Sequence, residues 1–147
     1  RFAMRIPLVR EFEDIEYFGR GNRECYIDYK EHSKVAIWNS KVTDEYEPYI
    51  MPQECGNHVD AKYVVLSDKA GALRATGNGF EFSALHYSPT MLEKANHNWE
   101  LTPSAHTYLL INYKACGLGS NSCGHRAKAP FAFTEKEFTF AFDLTIS

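Results

Sequence analysis

The chain has no excess of positive charge: 16 Lys and Arg stand against 19 Asp and Glu, a formal net charge of −3. Without a basic face nothing is set to neutralise phosphates, which excludes nucleic acid and anionic membrane surfaces as partners. No apolar run approaches the roughly 20 residues of a membrane span, and the first residues, Arg1-Phe2-Ala3-Met4-Arg5-Ile6-Pro7, lack the apolar stretch of a signal peptide. Cysteine is also scarce. Cys25, Cys55, Cys116 and Cys123 are too few and too irregularly spaced for a disulfide framework in a chain that is 44% hydrophobic. With His58 and His125 they miss the short paired spacings of structural zinc sites, so Cys55 and Cys116 read as buried, unreactive thiols. These absences together lead us to expect a soluble, cytoplasmic protein. Arg rather than Met at position 1 suggests a piece of something longer.

What is present is core material. A length of 147 residues with 14% aromatics suits one domain, and neither a low-complexity linker nor an internal repeat divides residues 1–147. Strand signals dominate. Residues 1–10 are a run of Phe, Ile, Leu and Val interrupted by Pro7, which cannot donate to a ladder and so predicts an edge strand or a strand with an irregular end. Residues 35–38 are short and apolar, and residues 61–67 and 73–76 face each other across Asp68-Lys69-Ala70-Gly71-Ala72 as a hairpin. Residues 80–87 begin with alternation. In residues 138–146, Phe138, Phe140, Phe142, Leu144 and Ile146 share one face, which we expect to be a core face. Ser88-Pro89, followed by Met91, Leu92 and Glu93, gives the cap, the first-turn proline and the acidic residue of one short helix. The expected class is all-β, a sandwich with one helical excursion.

Gly117-Leu118-Gly119-Ser120-Asn121-Ser122-Cys123-Gly124 follows the apolar run Thr107 to Tyr113, as a polar loop leaving a buried strand. No Lys-Ser/Thr pair ends it, so it is not a phosphate cradle. Its small residues suit either a recognition loop or a structural turn. Among carboxylates, Glu24 and Glu54 sit beside aromatic and turn residues. A pair of them could serve as acid and base in glycoside chemistry only at a separation of roughly 5–10 Å. A glutamate between Pro and Gly, like Glu54, more often fixes a loop by accepting backbone N–H groups. His86, between Leu85 and Tyr87, is a weak general-acid candidate and more often a satisfied core residue.

Four segments in order carry a resemblance: Tyr17-Phe18-Gly19-Arg20-Gly21-Asn22-Arg23-Glu24-Cys25-Tyr26-Ile27-Asp28, Tyr49-Ile50-Met51-Pro52-Gln53-Glu54-Cys55-Gly56-Asn57, Phe82-Ser83-Ala84-Leu85-His86-Tyr87 and Gly117 to Gly124. From about Ile15 to the C-terminus the chain resembles the C-terminal small-chain domain, the fifth, of the large bacterial β-galactosidases of glycoside hydrolase family 2. The resemblance implies part of a β-supersandwich related to the galactose mutarotase fold. It also implies that the catalytic glutamates lie in a separate TIM barrel outside this chain, that this chain holds no cofactor, and that magnesium and sodium belong to the rest of the enzyme. Expected partners are the rest of the β-galactosidase polypeptide or large subunit, a galactoside substrate, and further copies through strand edges.

In the family the glycine loop carries a tryptophan that stacks on the sugar. That position falls on Gly124 here, so the resemblance implies closeness to substrate for Asn121, Ser122, Cys123 and Gly124 without the aromatic platform. Asn22 stands where proline is usual, and Cys25 and Cys55 where asparagine is common. Two other readings remain open. A free-standing carbohydrate-binding module would use Trp38, Trp99 or Tyr46 as exposed aromatics, and an aldose epimerase would use His86 and Glu54 as acid and base.

Overall fold

The computed structural model describes residues 1–117, 125 and 127–147. Seven strands form one antiparallel sheet: β1 (Phe2–Val9), β2 (Asp14–Gly21), β3 (Lys34–Lys41), β4 (His58–Ser67), β5 (Ala72–Leu85), β6 (His106–Lys114) and β7 (Phe142–Ile146). Their spatial order is β1-β6-β5-β4-β2-β3, with β7 paired to β5. The chain is therefore all-β, as expected.

β5 is the axis of the sheet. The segments 73–76 and 80–87, which read as separate strands, are joined into one strand of 14 residues. Gly77 and Gly79 make the join: Gly79 takes φ +85°, a left-handed conformation open to glycine, and the β4–β5 register shifts nearby. β4 pairs along one edge of β5. The other edge is shared, β6 taking residues 81–85 and β7 residues 73–77. Pro7 sits in β1, which among the described residues pairs only with β6, so the proline marks a sheet edge as its missing donor requires.

The main core gathers Ile15 and Tyr17 of β2, Val64 and Leu66 of β4, Leu73, Ala75, Phe80, Phe82 and Ala84 of β5, and Leu109 and Ile111 of β6. Each buried Val, Leu, Ile or Phe among them contributes roughly 1.5–3 kcal/mol on full burial. Residues 80–85 are buried on both faces of β5. On the second face Leu85 packs with Cys55 and Leu92, beneath the 46–57 connection and the helix α1 (Pro89–Lys94). The Ser88 hydroxyl caps that helix by accepting from the Met91 N–H at 3.2 Å.

Residues 138–146 form the expected core face only in part: Phe140 and Phe142 pack against the main core, but the rest of the face does not. Only 142–146 are strand, Leu144 is 42% exposed and Ile146 83%. Alternation holds only within the strand, for Phe142, Leu144 and Ile146, and β7 pairs with only half of β5, with no described element over its outer part. Phe138 instead stacks on Tyr113, ring centroids 4.2 Å apart, beside Phe133 and Phe140.

Candidate functional site

The segments that looked separate along the sequence converge at a cleft of about 370 Å³. It is lined by Tyr26, by Gln53, Glu54, Cys55 and Asn57, by Ser83, by Ala115, Cys116 and Gly117, and by Arg1. β5 supplies Ser83 from its second face. The exit of β6 supplies 115–117, and the 46–57 connection folds back over both.

Buried polar side chains tie these walls together. Glu24 accepts from the Tyr26 hydroxyl at 3.1 Å, from the Tyr49 hydroxyl and from the Gly56 N–H at 2.8 Å. Gly56 has φ +66°, and an added Cβ would meet the Glu45 carbonyl oxygen at 2.5 Å, so this turn requires glycine. Asn57 spans the site. Its Nδ2 donates to the Cys25 carbonyl at 3.0 Å and to Glu81 Oε2 at 3.2 Å, and its Oδ1 accepts from Asn112 Nδ2 at 3.2 Å. Burial, followed by the charge of Glu24, pushes the Tyr26 phenol upward, which keeps it neutral.

Beside this network lies a buried pair, His58 and Glu45. His58 Nε2 is 2.7 Å from Glu45 Oε2, while Nδ1 lies 3.1 Å from the Tyr17 hydroxyl and 3.3 Å from the Arg20 carbonyl. Burial alone would lower the pKa of His58. Hydrogen bonding with Cys25 and Glu45, together with the Glu45 charge, outweighs it and pushes the value up to about 9.

The two weak candidates are not brought together. Glu54 lines the cleft, half exposed, and pairs with Arg1. His86 is buried away from the lining, with Nε2 2.7 Å from Glu13 and Nδ1 3.2 Å from Thr107 Oγ1. It is the satisfied core histidine of the ordinary reading. The loop-fixing role expected at Glu54 is performed by Glu24. Cys55 is buried, and burial pushes its thiol up to about 12, as an unreactive thiol requires. Cys116, expected to be buried, is exposed on the cleft wall. Asn121, Ser122, Cys123 and Gly124 lie outside the described residues. Among the described residues no group of three or more His, Cys, Asp or Glu is arranged to hold a metal ion, and no helix is long and apolar enough to cross a membrane.

Of the three aromatics expected to be exposed, only Trp99 is, at 80%. Trp38 packs against the core with Nε1 donating to the Gly19 carbonyl at 3.3 Å, and the Tyr46 hydroxyl donates to Asn98. Glu81, Asn112 and Glu45 carry no sequence expectation, while Asn57 enters only as the end of a family segment and His58 only among the residues that miss zinc spacing. A charged residue between Phe80 and Phe82, and Asn-His directly after Gly56, were the available signals.

An antiparallel β module whose cleft lies between strand β5, at Ser83, and the segments carrying Tyr26, Gln53–Asn57 and Ala115–Gly117, tied together by buried carboxylate and amide hydrogen bonds, is the class these features define. Residues 1–144 match the family model of the β-galactosidase small chain. The chain belongs to the β-galactosidase small-chain family. It is 34% identical over 145 residues to a β-galactosidase of Staphylococcus xylosus, covering 98% of this chain and 15% of that protein. A β-galactosidase of Actinobacillus pleuropneumoniae is 32% identical over 144 residues, 98% of this chain and 14% of the relative. One of Kluyveromyces lactis is 29% identical over 145 residues, again 98% and 14%. The chain thus spans about one seventh of the length of these relatives.

Proposed function

We propose that this chain is a non-catalytic C-terminal part of a glycoside hydrolase family 2 β-galactosidase acting on terminal β-D-galactosides such as lactose, and that it forms one wall of the active site and supports assembly. The observation that carries this is the meeting of all four family segments at one cleft, through Tyr26, Gln53 to Asn57, Ser83 and Gly117. A cleft lined by amide, hydroxyl and carboxylate groups suits a polyhydroxylated ligand. The paired glutamates of the reaction belong, on this reading, to another part of the polypeptide, as do magnesium and sodium, and the loop 117–124 approaches the sugar through Asn121, Ser122, Cys123 and Gly124. Exposed Val35 and Ile37 on the edge strand β3 favour contact with that remainder or with a second copy. Purified alone, the chain is expected to release no chromophore from a chromogenic β-galactoside. Turnover that survives a check for host enzyme would overturn the reading.

A second reading, an independent carbohydrate-binding surface, rests on Trp99. His97 stacks on one face of its indole at 4.1 Å and 15°, and Glu100 holds the imidazole at 2.9 Å. Asn98 ties the same turn to the Tyr49 carbonyl at 2.7 Å. A rigid aromatic plate with a free face stacks on the C–H face of a pyranose at little entropic cost. Calorimetry with galactose and lactose is expected to give heat that Trp99→Ala abolishes; no heat at millimolar sugar removes this reading.

A further inference from the structure

Glu81 lies where β5 is buried on both faces. Phe80 and Phe82 join the main core, while the carboxyl of Glu81 meets Asn57 and the exit of β6. Its Oε2 accepts from Asn57 Nδ2 and from the Ala115 N–H, each at 3.2 Å. Both donors belong to residues that line the cleft, one on each wall. A single carboxyl oxygen therefore clamps the 46–57 wall to the 115–117 wall. Two residues further on, Gly117 lies close against the Asp28 carboxylate, where an added Cβ would meet that side chain. Asn57 is anchored independently by Cys25 and Asn112, so the movable partner of the clamp is Ala115.

We propose that Glu81 is a positioning residue for galactoside binding, holding the Ala115–Gly117 wall against Asn57 when ionised and relaxing that hold when protonated. The proposal rests on the reading of the cleft as sugar-facing. An ionised acceptor makes hydrogen bonds roughly twice as strong as a neutral one, so the charge state of Glu81 sets the grip on the Ala115 N–H. The surroundings place that change near neutrality. Burial is the largest influence and pushes Glu81 up to about 7. The hydrogen bonds from Asn57 and Ala115 oppose it, Asp60 of β4 adds to it, and Lys114 of β6 opposes it. The remaining titratable groups of the neighbouring walls are Arg1, Tyr26, Glu54, Cys55 and Cys116 on the cleft, Asp28 against Gly117, and Lys62 and Tyr113 on the far side of Glu81.

The test uses the complete β-galactosidase that contains this chain, with Glu81→Gln, which keeps one oxygen for both donors but cannot ionise. Comparing variant with wild type at each pH cancels every other titrating group. We expect the amides of residues 115–117, followed by hydrogen exchange and mass spectrometry, to exchange equally in both proteins near pH 5.5, and about tenfold faster in the variant near pH 8.5. The KM for a chromogenic galactoside is expected to follow the same ratio with kcat unchanged. Glu81→Ala, which removes the acceptor, is expected to speed exchange at both pH values. A ratio of exchange rates that does not change with pH overturns the Glu81 clamp, whatever KM does. An exchange ratio that changes while the KM ratio stays flat leaves the clamp standing and instead overturns the sugar-facing reading of the cleft.

Discussion

Replacing Glu24 with alanine is expected to destabilise the chain by about 3–5 kcal/mol, seen as a fall in the urea midpoint at unchanged slope. The carboxylate is 8% exposed and serves three donors, the Tyr26 and Tyr49 hydroxyls and the Gly56 N–H. Deleting it strands a buried N–H and a buried phenol, each carrying a desolvation penalty of roughly 1–3 kcal/mol, and leaves a void between them. Tyr49 is partly exposed and can turn to water, so it adds less. Glu24→Gln retains an acceptor oxygen and is expected to lose only about 1–2 kcal/mol, because charge-assisted bonds become neutral ones. A Glu24→Ala chain within about 1 kcal/mol of wild type would mean that the turn at Gly56 is held by its backbone alone.

The second large effect concerns the buried pair. Glu45→Gln is expected to weaken the fold by about 3 kcal/mol at pH 7, since it leaves a buried imidazolium without its counter-ion. The pH dependence has a definite sign. His58 binds its proton more tightly folded than unfolded, with a folded pKa of about 9 against an ordinary value of 6.5. The stabilisation is therefore fully present below about pH 6.5 and is lost as the pH rises through about 9. Wild type is expected to weaken between pH 7 and pH 10 while Glu45→Gln weakens less, so that their unfolding curves draw together. A gap that stays constant over that range would show that His58 is neutral in the folded chain.

Much of the fold could be read before any coordinates because the signals were local. Pro7 marked an edge strand, the Asp68–Ala72 turn joined β4 to β5, and Ser88-Pro89 started the helix, each by chemistry confined to a few residues. The face expected from Phe138 to Ile146 was legible only in its second half, where Phe142, Leu144 and Ile146 share the strand. What covers a face, however, depends on the far side of the fold, and here nothing described covers its end. The site followed the same division. The four motif segments could be recognised in order, but their meeting at one cleft is a product of strand register. Register also decides that Glu81 stands opposite Asn112, and so within reach of Asn57, while Glu54 is left to Arg1. The loop-fixing role read at Glu54 falls to Glu24 for the same reason, because Glu24 lies beneath the turn whose Gly56 N–H needs an acceptor.

The division of one edge of β5 between β6 and β7 bears on how the chain is made. Residues 73–77 wait for Phe142–Ile146, whereas β4 and β6 reach β5 much earlier. At roughly 5–20 residues per second of synthesis, the first half of β5 stands with one bare flank for roughly 3–13 s on the ribosome. The pairing of Phe142–Ile146 with residues 73–77 is thus the last strand contact this sheet acquires during synthesis.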